Sequence, residues 1–302
     1  MTGRQLETRH GTIAFPTFMP VTTFGGSYPL DDLVRPYLQR FAQCVLVSYH
    51  YAKQMKRHER PKLSLFIDSG GFASMFEGSR FINKGDFAVI ETSGGDLIDP
   101  QEVLAFQEQH ADIGATVDFI VSPRLDQTDS IQRQDLTIKN ALWALRHRKT
   151  PELRLFASVQ AWDAPSAKRI MKKLVKHPFD GFALGGMVPR TRHPEQIVDI
   201  VRALRAIEPI RPIHVFGIGS PKLIRQLREA GADSTDSSSF LQNSALKKYL
   251  DGGSDEWIPI DNATLACGCP VCRTHSQELL KQSGEVNNLS LALHNLHATI
   301  QC

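Results

Sequence analysis

Short runs of almost wholly apolar residues recur along the chain, each closed by a polar or glycine residue and most followed by a stretch with helical spacing. Phe15 to Val21, Cys44 to Ser48, Leu63 to Ile67, Val117 to Val121, Leu155 to Val159, Gly181 to Leu184 and Ile213 to Phe216 read as strands, with a weaker eighth near Ala232 to Thr235. Runs that are apolar throughout belong to strands buried on both faces, as in a parallel sheet. Among the intervening stretches, Pro194 to Ile207 places Ile197, Ile200, Val201 and Leu204 on one helical face, with proline in the first turn. Pro221 to Ala230 repeats the arrangement, with Ile224 and Leu227 inward and Gly231 placed to cap the C-terminus. Eight strands alternating with helices predict an α/β fold, a closed (β/α)8 TIM barrel. An open doubly wound sheet is the alternative, weakened because no G-x-G-x-x-G follows the first strand.

The alternation breaks at Asp251-Gly252-Gly253-Ser254-Asp255. Residues 1–250 are therefore read as the barrel, and 251–302 as a small subdomain ending in a helix. A content of 41% hydrophobic and 22% charged residues excludes disorder as the main state. No apolar run is long enough to span a membrane and the N-terminus lacks a signal-peptide pattern, so a cytoplasmic location is expected. The net charge of +3 identifies no partner. Its distribution says more: Lys168, Lys172 and Lys176 recur at intervals of four with Arg169 and Lys173 beside them. That stripe suits a phosphate backbone, and equally a solvated helix face.

Functional groups of a barrel gather where strands end and the following loops begin. His50, Asp68, Gln160, Gly185-Gly186, Gly217-Ile218-Gly219 and Asp236 stand at such ends. One aspartate there is ordinarily a helix cap or a turn residue. Two of them, from the third and eighth runs, suit glycosidic-bond chemistry, in which one carboxylate attacks the sugar and the other handles protons. In Asp68-Ser69-Gly70-Gly71-Phe72 the glycines let backbone approach a flat ligand, and Phe72 can stack on it or pack beneath it.

Three of the five cysteines crowd together as Cys267-x-Cys269-x-x-Cys272. Three thiolates from one turn, with the imidazole of His294 on the last predicted helix, make a tetrahedral set for a structural Zn2+. His297 competes for the fourth place, whereas His275 stands too near the cluster to close the tetrahedron. A site filled by four protein ligands stabilises the fold and does not activate water.

With these motifs in place, the chain resembles the tRNA-guanine transglycosylases (queuine tRNA-ribosyltransferases), and most of all their relatives that put deazaguanines into DNA. The likeness runs through His10-Gly11-Thr12-Ile13, Phe18-Met19-Pro20-Val21, Ser48-Tyr49-His50 and Asp68-Ser69-Gly70-Gly71-Phe72. It continues in Val159-Gln160, Ala183-Leu184-Gly185-Gly186-Met187, Phe216-Gly217-Ile218-Gly219-Ser220-Pro221 and Gly231-Ala232-Asp233-Ser234-Thr235-Asp236, and ends with the cysteine cluster and Leu293-His294-Asn295-Leu296. The resemblance implies a (β/α)8 barrel with a zinc subdomain. It implies Asp236 as nucleophile, Asp68 as general base, and Gln160, Gly186 and Met187 lining the base pocket. Cys267, Cys269, Cys272 and His294 then match the zinc ligands. The implied reaction expels guanine from C1′ of a nucleotide, holds the sugar on Asp236 as an ester, and transfers it to a 7-deazaguanine.

Three departures set the chain apart. In the family a base-recognising aspartate follows the fourth strand; Val121-Ser122-Pro123-Arg124 occupies that place here, so Ser122 is the expected reader, with Asp126 able to reach back. A hydroxyl is a weaker reader of guanine's donor edge than a carboxylate. The arginine-rich loop after the nucleophile is replaced by Ser237-Ser238-Ser239-Phe240-Leu241-Gln242-Asn243. The chain is also shorter than typical tRNA enzymes, as though loops had been trimmed. These departures favour DNA over tRNA as substrate, with 7-cyano-7-deazaguanine (preQ0) or a similar base inserted; a homodimer is possible. A non-catalytic partner subunit and a barrel glycoside hydrolase are the rival readings. The first is opposed by the two retained carboxylates, and the second has no need of the cysteine cluster.

Overall fold

The computed structural model describes residues 4–263, 267–274, 280–282 and 284–302. Eight parallel strands form one sheet: Thr17–Pro20, Cys44–Val47, Ser64–Ile67, Ile113–Ala115, Arg154–Gln160, Gly181–Gly185, Ile213–Val215 and Ser234–Ser237. They run around the sheet in the order first, eighth, seventh, sixth, fifth, fourth, third, second. A parallel bridge between Val21 and Leu46 joins the second strand back to the first, helped by Thr22 N donating to Leu46 O at 3.0 Å. The sheet is thus a barrel, as the apolar runs predict. The second and third strands are buried at all four positions, which is why they carry no alternation.

One end of the barrel is closed. The hairpin Gln5–Thr8 with Gly11–Ala14 sends Ile13, and the following Phe15, into the same cluster as Met19, Phe66, Ile113 and Phe156. Thr8 Oγ1 lies 2.8 Å from the hydroxyl of Ser64, the first residue of the third strand, which fixes the hairpin at the N-terminal end. Access is left to the C-terminal end, where loops differ between barrels and chemistry is usual. Helices surround the sheet; Pro194–Ile207 and Pro221–Ala230 have the expected bounds, and Gly231 adopts φ of 106° as the expected left-handed cap. The helix Ala164–Leu174 presents Lys168 and Lys172 outward, while Arg169 and Lys173 pair with Asp135.

The fourth strand differs from expectation. It is Ile113–Ala115, and the run Val117 to Val121 lies beyond it. The buried Asp112 starts the strand by accepting from Leu65 N at 2.8 Å and from Arg60 Nη2 at 2.7 Å. Past Thr116 the amides leave the ladder for side chains: Phe119 N donates to Thr137 Oγ1, Ile120 N to Ser74 Oγ, and Val121 N to Gln160 Oε1. The run is apolar because it is buried, but its backbone bonds are met by side chains from elsewhere, and nothing local in the sequence reveals that.

At the other end of the chain, position 250 lies within the strand Lys248–Asp251, which pairs with Glu256–Pro259, so the polar stretch 251–255 includes the turn of a hairpin. Asn295 of the long helix Glu285–Gln301 accepts from Leu250 N and donates to Lys248 O and Ser244 Oγ, tying hairpin, helix and barrel together. No helix among the described residues is long and apolar enough to cross a membrane.

Candidate active site

Asp68 follows the third strand directly and continues its ladder through its amide, which donates to Val47 O at 3.1 Å. Its Oδ1 accepts from Tyr49 N at 2.9 Å and Gly70 N at 2.8 Å. Gln107 Nε2 holds the segment from behind by donating to Ile67 O, Asp68 O and Ala115 O. Burial pushes the Asp68 carboxyl up to about 6, against the pull of the two amides and the Ser48 hydroxyl, with the nearby Asp118 adding to the rise. A carboxyl half-protonated near pH 6 can both give and take a proton.

Asp118 is the residue that the fourth-strand misreading concealed. It comes just after the true strand and is buried among donors. Its Oδ1 accepts from Ser69 Oγ at 2.6 Å and its Oδ2 from Gln160 Nε2 at 2.5 Å. Burial raises its carboxyl above the ordinary value, while Ser69 and Gln160 draw it back. Gly71 is required here: a Cβ on it would lie 2.2 Å from Asp118 Oδ1 and 2.5 Å from Asp118 O. Ser122, the base reader expected from the sequence, is not among the groups that bond Asp118. Ser122 Oγ accepts from Arg124 N in a turn, and Asp126 caps the next helix by accepting from Asp129 N.

Ser69, Gly71, Gln160 and Gly185 come together around Asp118, with Gln160 paired in register to Gly185. Beside them the buried Arg190 donates to Val121 O at 2.8 Å and Gly186 O at 2.6 Å, pinning the loop after the sixth strand. Met187 is fully buried in the apolar layer. Phe72 is 51% exposed, edge-on to the equally open Phe76 at 5.7 Å. It is therefore free to meet a ligand.

Asp236 is buried in the eighth strand. Its Oδ1 accepts from Gly217 N at 2.9 Å and lies 3.0 Å from His214 Nε2. Gly217 has φ of 74°, a left-handed conformation that turns its N–H to the carboxylate. His214 is completely buried, against Phe66 at 5.1 Å and Phe216 at 4.7 Å between ring centroids. Phe66 lies two residues before Asp68, and strand alternation turns both to the barrel interior. The meeting of Phe66 and His214 therefore sets the Asp68 and Asp236 segments over one floor.

Cys267, Cys269, Cys272 and His294 bring their ligand atoms within 4.8 Å of one another. His294 Nδ1 lies 3.4 Å from Cys269 Sγ and 3.3 Å from Cys272 Sγ. Its Nε2 lies 3.0 Å from Leu250 O, so the second nitrogen carries the proton and Nδ1 is left as a donor to metal. Tyr249 stacks on the ring at 3.9 Å and 9°. Three sulfurs and one imidazole at this spacing fit Zn2+. His297 packs edge-on against Phe41 instead, and His275 lies outside the described residues.

Asp118, His214 and Arg190 were missed by sequence reasoning. An aspartate and a histidine inside otherwise apolar runs were the available signals, since neither is buried without a partner.

The family model described as TGT, queuine tRNA-ribosyltransferase, matches residues 3–302. The chain is 24% identical over 301 residues to the tRNA-guanine(15) transglycosylase of Methanothermobacter thermautotrophicus, covering 97% of this chain and 44% of that protein. To the tRNA-guanine(15) transglycosylase of Methanosarcina barkeri it is 27% identical over 302 residues, 98% of this chain and 59% of that one. To the queuine tRNA-ribosyltransferase of Thermosipho africanus it is 28% identical over 328 residues, 95% and 86%. The chain thus spans about half the length of the first two relatives.

Proposed function

The chain belongs to the queuine tRNA-ribosyltransferase family, and from that premise we propose that it is a pentosyltransferase that exchanges guanine in a nucleic acid for another guanine-type base. The observation that carries the reading is the trio of buried or half-buried carboxylates, Asp68, Asp118 and Asp236, in contrasting environments at the open end of one barrel.

Asp236 attacks C1′ of the target nucleotide and expels guanine, leaving a sugar–enzyme ester. The ester stores the bond, so no nucleotide triphosphate is needed to make the next one. Asp68 protonates the departing base nitrogen and later removes the proton from the incoming one; a carboxyl lifted to about 6 suits both tasks. Asp118 reads the base: a carboxylate held by Ser69 and Gln160 accepts from guanine's N1–H and exocyclic amine, which a hydroxyl at Ser122 would do less well. Phe72 covers the base face. Because C1′ is inaccessible in a stacked pair, the target nucleotide is taken out of the helix or is already single-stranded. Zn2+ on Cys267, Cys269, Cys272 and His294 braces the C-terminal subdomain and takes no part in the exchange.

The relatives' names favour tRNA as the substrate; a 7-deazaguanine as the incoming base rests on the motif resemblance alone. DNA is the second reading. It is favoured by the segment after the nucleophile, Ser237–Asn243, which has no basic residue and leads into the uncharged helix Ser239–Ala245. Incubation with labelled guanine and either tRNA or duplex DNA tests both. Exchange into one of them that disappears in Asp236→Asn, while the variant keeps its melting temperature, is the expected result. An active Asp236→Asn overturns the nucleophile, and no exchange into either substrate overturns the function.

A further inference from the structure

We infer that His214 is a positioning residue for Asp236: with Gly217 N–H it holds Oδ1, leaves Oδ2 as the oxygen that bonds C1′, and steadies the carboxylate as it departs in the second half-reaction. The inference rests on the transglycosylase reading above and goes beyond it.

The geometry divides the two carboxylate oxygens. Oδ1 has two donors, Gly217 N at 2.9 Å and His214 Nε2 at 3.0 Å. Among the described residues Oδ2 accepts no hydrogen bond, and it is not among the buried polar atoms left without a partner, so it keeps some exposed surface. The histidine's tautomer follows from its neighbours. A carboxylate oxygen only accepts, so Nε2 carries a hydrogen. Nδ1, 2.8 Å from Ser234 Oγ, is then free to accept from that hydroxyl. Ser234 thereby strengthens the Nε2–H as a donor, and Phe66 and Phe216 wall the ring against rotation.

The consequence for the reaction is unequal between its two halves. In the first, a lone pair of Oδ2 forms the C1′–O bond while the C1′–N9 pair leaves with guanine, whose N9 takes the proton from Asp68. In the second, N9 of the incoming base forms the bond to C1′, its proton passes to Asp68, and the C1′–O pair returns to Asp236. Oδ1 carries shared negative charge in the free carboxylate and none as an ester carbonyl. Its two donors therefore favour the carboxylate over the ester, as donors at a developing oxyanion do. Removing one shifts the balance toward the ester and slows its discharge.

The test uses the full-length protein with end-labelled nucleic acid, tRNA and duplex DNA in parallel, and guanine as the incoming base. Denaturing gels read the covalent fraction, and a guanine chase reads its discharge. In His214→Leu the ratio of ester to free enzyme rises about tenfold, and discharge slows about 10²-fold. His214→Gln, whose amide N–H reaches the same oxygen, restores most of both. Ser234→Ala moves the ratio the same way by less; it decides alone should His214→Leu not fold. A purely structural role would slow ester formation and discharge together and leave the ratio unmoved. An unchanged ratio in His214→Leu and Ser234→Ala, in a protein whose parent form exchanges guanine, overturns this inference and leaves the function standing. Absence of ester and exchange in the parent form overturns the function instead.

Discussion

Asp68→Asn preserves the side chain's shape and an acceptor for Tyr49 N and Gly70 N, and removes only its ionisation. Burial lifts the Asp68 carboxyl from 3.8 to about 6. A shift of roughly two units corresponds to about 3 kcal/mol between the protonation states. The sign follows from linkage: the folded protein holds this proton more tightly than the unfolded chain does. Its contribution is therefore fully present below 3.8, lost as pH rises toward about 6, and absent above, where the ionised carboxylate sits in a partly buried site at a net cost. Asparagine escapes that cost. For a chain of this length about 3 kcal/mol moves the melting temperature by about 5 °C. Calorimetry of parent and variant at pH 4 and pH 7.5 should find the variant's advantage greater at pH 7.5 by about 4–5 °C. The same substitution should cut base exchange by at least about 10²-fold, as loss of a general acid–base group does. In the parent, formation of the ester, which draws its proton from Asp68, should fall as pH rises through about 6. An advantage that stays constant between the two pH values would refute the claim that a charge is held there against desolvation.

Asp118→Asn should lower kcat/KM for guanine by about 10–100-fold, since an amide presents one acceptor where the carboxylate presents two. Steady-state exchange at varied guanine concentration measures this, and unchanged constants would remove Asp118 from base reading. Elemental analysis of the purified protein should find one zinc per chain, absent from Cys269→Ser. Losing it should lower the melting temperature by about 5 °C or more, and a chelator should do the same to the parent. A metal-free parent with an undiminished melting temperature would dismiss the structural zinc.

Six of the eight barrel strands were legible as apolar runs, because a strand buried on both faces is ordinarily apolar, while the eighth, Ser234–Ser237, gave only a weak signal. The helices starting at Pro194 and Pro221 were equally plain, since caps and amphipathic spacing are local properties. The cysteine set was legible for a similar reason: three ligands lie within one turn, and only His294 had to be found at a distance. Asp68 and Asp236 could be singled out as strand-end carboxylates, but their separate characters could not. One is lifted to about 6 by burial, and the other is gripped on a single oxygen by Gly217 and His214. The fourth strand, and with it Asp118, was misplaced because Val117 to Val121 is as apolar as a strand yet sends its amides to Thr137, Ser74 and Gln160.

What the sequence determined by itself was everything governed by neighbours along the chain: period, capping, turn glycines and clustered thiols. What only the tertiary structure decided was which distant groups share a proton or a hydrogen bond. Ser69, from the loop after the third strand, and Gln160, from the end of the fifth, meet at Asp118, as His214 and Ser234 meet beside Asp236 from separate strands. The physical reason is that the strength and sign of such interactions depend on burial and on distances of about 3 Å. Spacing along a chain does not fix those distances until the barrel closes.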